Sequence, residues 1–147
     1  MERHLAEEAQ RLGLDVELRT GSAENLPAED ASVDFVISTL VLCSVVDQDR
    51  ALEEVLRVLK PGGKFVFIEH VAARRGTWLR FIQTLVKPLW RRMGDGCQPD
   101  RETATALMQA GFAKVEIEEF AAPVPVVRPH IVGIAAKHRL QDLSEPN

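Results

Sequence analysis

The rhythm of apolar and polar positions is clearest between residues 33 and 70. Val33 to Ser38 is a short apolar run rich in β-branched side chains, the composition of a strand buried on both faces. Leu52, Val55, Leu56 and Leu59 then recur at three- and four-residue spacing, which draws one apolar face on a helix. Asp47 stands where an N-cap is needed, and Pro61 disfavours the α conformation at Lys60, so the helix is predicted to stop there. Gly62 and Gly63 supply a turn, and Lys64 to Glu69 reads as a second strand. Strand, crossover helix and parallel strand make a βαβ unit, which is right-handed in nearly all proteins.

The flanks carry weaker signals. Residues 2–12 read as a helix closed by Gly13. Asp15 to Thr20 alternates Val16 and Leu18 and predicts a short strand, followed by a loop over 21–32 with Gly, Pro and acidic residues. Residues 74–93 form an amphipathic, aromatic helical segment that Pro88 is expected to kink. Asp100 is the expected cap of a helix running to Ala110, with Gly111 closing it. Phe112 to Phe120 predicts a strand, a Pro-rich link covers 121–129, and His130 to Lys137 predicts the last strand. The polar stretch after Arg139 is expected to be disordered. No repeat or low-complexity tract interrupts this α/β order. It places one domain over 1–138 and a polar tail over 139–147.

Composition narrows the classes. A chain of 147 residues is one domain by size, and its 46% apolar content is ordinary for a globular core. The net charge of −4 gives no general attraction to nucleic acid, and none is expected as a partner. No apolar run approaches the roughly 20 residues of a membrane span. The charged N-terminus does not read as a signal peptide. Two cysteines, Cys43 and Cys97, make neither a disulfide framework nor a metal site by count, and a reducing, cytoplasmic setting is the simple reading.

Three short motifs, in order, then carry a resemblance. Leu59-Lys60-Pro61-Gly62-Gly63 precedes a strand, Gly21-Ser22-Ala23-Glu24-Asn25-Leu26-Pro27 fills a loop, and Val33-Asp34 with Leu40-Val41-Leu42-Cys43-Ser44-Val45 frames another strand and its exit. Together they resemble the second half of the class I methyltransferases that use S-adenosylmethionine. Thr39 to Val45, Glu69-His70-Val71-Ala72-Ala73, Asp95-Gly96-Cys97 and Arg128-Pro129-His130-Ile131 are most similar to the methyltransferase-like thiol methyltransferases. The resemblance runs from the start to about Lys137. It implies a Rossmann-like, mostly parallel sheet with an antiparallel last strand at its edge. The Gly-rich loop and the acidic strand end that precede this region in the family do not occur here, and no GxGxG is found in the chain. Residues 1–147 are therefore expected to correspond to the C-terminal part of the domain, to bind the cofactor weakly by themselves, and to self-associate.

The resemblance also implies roles. In open α/β sheets ligands sit at the carboxyl ends of the strands. Ser22, Ala23 and Glu24 would meet the adenine, with Ser22 at a position where the family often has Asp. Thr39 and Leu40 would line the ribose and methionine side. His70 would stand at the mouth of the cleft, with His130 and Arg128 facing it from the last strand. There they would help ionise a small apolar thiol, whose ordinary pKa is about 8.5. Both histidines read equally as structural caps of strand ends, and Cys43 reads as a small packed residue. Segment 74–92 has six basic residues, Arg74, Arg75, Arg80, Lys87, Arg91 and Arg92, and no acid. It admits three readings: a lid over an apolar substrate, a peripheral contact with an anionic membrane surface, or a core helix with a solvated basic face. Two rival functions stay open, an inactive fragment that binds or regulates and a methyltransferase for a lipid or quinone acceptor.

Overall fold

The structure, a computed structural model, describes residues 2–143. Helix α1 covers Glu2–Arg11, strand β1 Val33–Thr39, helix α2 Gln48–Val58 and strand β2 Leu59–His70. Helices α3 (Trp78–Met93) and α4 (Thr103–Gln109) follow, then strands β3 (Lys114–Ala121) and β4 (Pro129–Ala136). A short 3-10 turn at Leu140–Leu143 takes up part of the stretch expected to be disordered, and the rest of that stretch, 144–147, lies outside the described residues.

The βαβ unit forms as its pattern requires. Asp47 caps α2 by accepting from the Arg50 N–H at 3.0 Å. The helix ends at Val58, two residues before the expected stop, because Leu59 already has extended dihedrals and pairs with Val33. β2 then runs through Lys60–Gly63 as an irregularity in its ladder with β1, not as a separate turn. A side chain at Gly63 would press 2.9 Å from the Lys60 carbonyl and 3.1 Å from that of Asp34, so the close approach of β1 to this bulge needs glycine.

The sheet order is β1-β2-β4-β3. β1 pairs with β2 in parallel, and β4 is antiparallel to both β2 and β3. The last strand does run against the others, as expected. It lies inside the sheet, with β3 as one edge and β1 as the other. α2 and α4 cover one face, over Phe65, Phe67, Ile131 and Ala135, and this is the core. On the other face Phe35 is 61% and Ile37 75% exposed.

Asp15 to Thr20 forms no strand. Val16 and Leu18 have the right alternation but remain exposed, and no neighbouring strand offers them a ladder among the described residues. Asp100 does not cap α4; it pairs with Lys87 of α3 at 3.0 Å, and α4 starts at Thr103 with no side-chain cap bond. α3 passes through Pro88 as one helix.

Candidate active site

Glu69 joins the ends of β1 and β2. It is fully buried, and its Oε1 accepts from the Ser38 hydroxyl at 2.6 Å and from the Val41 N–H at 3.0 Å. Leu40, between them, has φ 57°, a left-handed backbone unusual for a bulky side chain, and its N–H is held by the Ile68 carbonyl at 2.9 Å. The chain is thus turned sharply just past Thr39, at the edge where the carboxyl ends of β1 and β2 meet. Thr39 and Leu40 lie at this carboxyl edge.

A cavity of about 310 Å³ opens beside this turn. Ser22, Ala23 and Leu26 form one wall, and Ser38, Val41 and Phe65 contribute to the other. The 21–27 loop is held there by α2. Glu54, almost fully buried, accepts from the Leu26 N–H at 2.9 Å and from Arg57, while Arg57 donates to the Ala28 and Leu26 carbonyls and to Asp30. The Arg57 guanidinium holds the Glu54 carboxyl down to about 2. Glu24 closes the loop from within: it accepts from Ser22 Oγ and from the Val46 and Asp47 amides, bonds that bring its pKa to about 2. Its carboxylate is therefore committed to loop geometry, while Ser22 and Ala23 are left at the cavity wall. An apolar slot with a hydroxyl and backbone polar groups fits the adenine end of the cofactor.

A second cavity, of about 560 Å³, lies past the end of β2. Its walls include Val71, Ala73, Leu79, Phe120, Arg128 and His130. The His130 Nδ1 is 3.2 Å from the Arg128 carbonyl; a carbonyl only accepts, so Nδ1 carries the proton and Nε2 is the basic nitrogen. His70 does not stand at the mouth as expected. It is 2% exposed, with its ring centroid 6.2 Å from that of His130 and its Nε2 3.7 Å from Cys97 Sγ. The sheet explains this, since His70 and His130 are register partners across β2 and β4.

The wall formed by α3 is fastened by a residue the sequence reading passed over. Gln83 is fully buried; its Oε1 accepts from the Ala73 N–H at 2.7 Å, and its Nε2 donates to the Val126 carbonyl at 3.0 Å. The basic side chains of this segment find acids elsewhere in the fold: Arg75 and Arg80 meet Glu102, Arg74 meets Glu119, and Lys87 meets Asp100. Trp78, Phe81, Leu85, Leu89 and Met93 lie exposed along one side of α3. No helix among the described residues is long and apolar enough to cross a membrane.

Comparison with known proteins identifies the family. A family model described as "Methyltransferase domain" matches residues 1–67. A human thiol S-methyltransferase, TMT1A, is 51% identical over 110 residues, covering 74% of this chain and 45% of that protein. A demethylmenaquinone methyltransferase of Clavibacter sepedonicus is 34% identical over 141 residues, covering 84% of this chain and 54% of that protein. A Thermotoga maritima crystal structure, described as a SAM-dependent methyltransferase and possible histamine N-methyltransferase, superposes with TM-score 0.61 at 25% identity, covering 91% of this chain and 69% of that one. The chain belongs to the class I methyltransferases. Within them it is close to the thiol S-methyltransferases, and it spans about half the length of the curated relatives it matches.

Proposed function

We propose that this chain forms the acceptor side and the adenine end of a site for methyl transfer from S-adenosylmethionine to a small apolar thiol. The observation that carries the reading is that each cavity adjoins the carboxyl end of a strand: Ser38 of β1 lines the first, and Val71, next after β2, lines the second. Ser38, Glu69 and Val41 join β1 to β2 beside the first, and β2 continues from Glu69 through His70 to the wall of the second. When bound, the cofactor supplies a methyl carbon made electrophilic by its sulfonium. Ser22 Oγ, which accepts from the Glu24 N–H, keeps one lone pair to accept from the adenine amino group, and the Ala23 backbone meets the ring. Leu79 and Phe120 give the acceptor an apolar wall and exclude water. His130 Nε2 takes the proton of the acceptor thiol, which leaves a thiolate facing the methyl carbon. Arg128 adds positive charge on the same wall and favours that thiolate.

Held in line, such a pair reacts mainly because it is positioned, with the base contributing typically about 100-fold or more. In a form of the protein that binds the cofactor, His130→Ala is expected to lower kcat with an alkane thiol by about 10–100-fold. Cofactor affinity, measured by calorimetric titration, is expected to change little. Unchanged turnover would assign His130 a structural role. Ser22→Asp is expected to keep or tighten cofactor binding, since a carboxylate is the stronger acceptor. A second acceptor class has its own support, the 34% identity to a demethylmenaquinone methyltransferase. A panel of thiol and quinone acceptors separates the two.

A further inference from the structure

Cys43, His70 and Cys97 come from three separate parts of the chain and meet at His70, whose ring centroid lies 6.2 Å from that of His130. We infer that they form a binding site for a thiophilic divalent cation, zinc, held by two sulfurs and one imidazole. The two Sγ atoms and a ring nitrogen all lie within 4.8 Å of one another, and Cys97 Sγ is 3.7 Å from His70 Nε2. A tetrahedral zinc with ordinary bond lengths sets sulfur–nitrogen edges of about 3.6 Å and sulfur–sulfur edges of about 3.8 Å. One edge already matches, and the others need a contraction smaller than a rotamer change.

The backbone is built to hold this arrangement. Arg101 Nη1 donates to the Leu42 and Val45 carbonyls at 2.9 and 2.7 Å, and Gln98 N–H donates to the Cys43 carbonyl at 2.9 Å. These bonds fasten the 94–102 loop to the exit of β1. Gly96 has φ 89°, and a Cβ there would sit 3.2 Å from the Ser44 carbonyl, so the residue before Cys97 must be glycine for the loops to come this close.

The chemistry of the donors also asks for a cation. Glu69 Oε2, whose charge acts on Cys97, is buried without a hydrogen-bond partner among the described residues, a cost that a water on the bound cation would remove, while His70 turns Nε2 toward Cys97 and keeps Nδ1 on its far side. Sulfur and imidazole donors select zinc over magnesium or calcium. Binding would release one proton from each thiol, and the two thiolates neutralise the ion. Three protein ligands leave one of four positions for water or an incoming thiol. The site is independent of which acceptor the protein methylates.

The test uses the untagged chain, reduced with a phosphine and stripped by a chelator, and titrated with cobalt(II). A sulfur-to-cobalt charge-transfer band in the near ultraviolet, saturating at one equivalent and bleached by zinc, is the expected result. Cys97→Ser, a half-buried loop position that leaves the core intact, is expected to lose the band and weaken zinc retention by at least about 100-fold. The wild-type titration stands even if Cys43→Ser does not fold. No charge-transfer band from folded protein with both thiols reduced would overturn the site, as would undiminished binding by Cys97→Ser or a disulfide between Cys43 and Cys97 that survives reductant.

Discussion

At the scale of the residue, buried carboxylates organise the cofactor side of this molecule. Glu54 is the clearest case, because a single side chain on α2 holds the 21–27 loop through the Leu26 amide and through Arg57. Its folded pKa of about 2 lies below the ordinary carboxylate value, so its contribution is fully present above that ordinary value and is lost as pH falls toward about 2. Arg50, Arg57 and Asp30 are the charged groups around it. Glu54→Gln is expected to cost about 1–3 kcal/mol at neutral pH and to flatten the acid limb of stability, read by urea melts across that window. An unchanged acid limb would mean that the loop is held by other contacts. The loop that holds Ser22 and Ala23 and the strand end at Thr39 and Leu40 were legible in the sequence because punctuation marks loops and strand ends. Sequence reading placed Glu24 on the ligand because spacing does not say which polar group a carboxylate turns toward.

At the scale of the element, α3 was the least decided by pattern. Its basic residues have no acid within the segment, yet four of them are paired by Glu119 from β3 and by Asp100 and Glu102 from the loop between α3 and α4. Such pairs are set by packing and cannot be read from local charge. Gln83 is the buried polar pin that holds this helix against Ala73 and Val126. Gln83→Leu leaves the buried Ala73 N–H and the part-buried Val126 carbonyl without partners, at an expected cost of about 1–3 kcal/mol. Because Thr77 and Leu79 line the acceptor cavity, the same change is expected to raise KM for the acceptor while cofactor affinity stays constant. Equal losses in both would show that α3 supports the whole fold and not that wall.

At the scale of the whole molecule, one face of the sheet is open beside its β1 edge. β1 ends the strand order, and Phe35 and Ile37 project from it on the uncovered face. An edge strand of this kind is a template for pairing, and an apolar face beside it adds a driving force. The chain is expected to self-associate in a concentration-dependent way, and sedimentation measurements decide it. Phe35→Lys with Ile37→Lys is expected to return the monomer. A chain that stays monomeric at high concentration would refute this expectation. On the proposed reading Ser22 and Ala23 would meet the adenine end of the cofactor, while no GxGxG occurs among these residues to let a backbone approach its methionine end. Weak cofactor binding by this chain is the matching expectation.

By itself, the sequence determined the βαβ unit, the capping of α2, the direction of the last strand and the family, because each depends on short-range periodicity, on fixed φ at proline and glycine, or on contiguous motifs. Tertiary structure decided what depends on side chains meeting across long separations. It left Asp15 to Thr20 without a ladder, since alternation creates a strand only where a partner satisfies its backbone. It buried His70 by aligning it with His130 across two strands. It also brought Cys43 and Cys97 to His70, a cluster that residue counting could not foresee because its three members share no local spacing and are joined only when the 94–102 loop folds back over the end of β1.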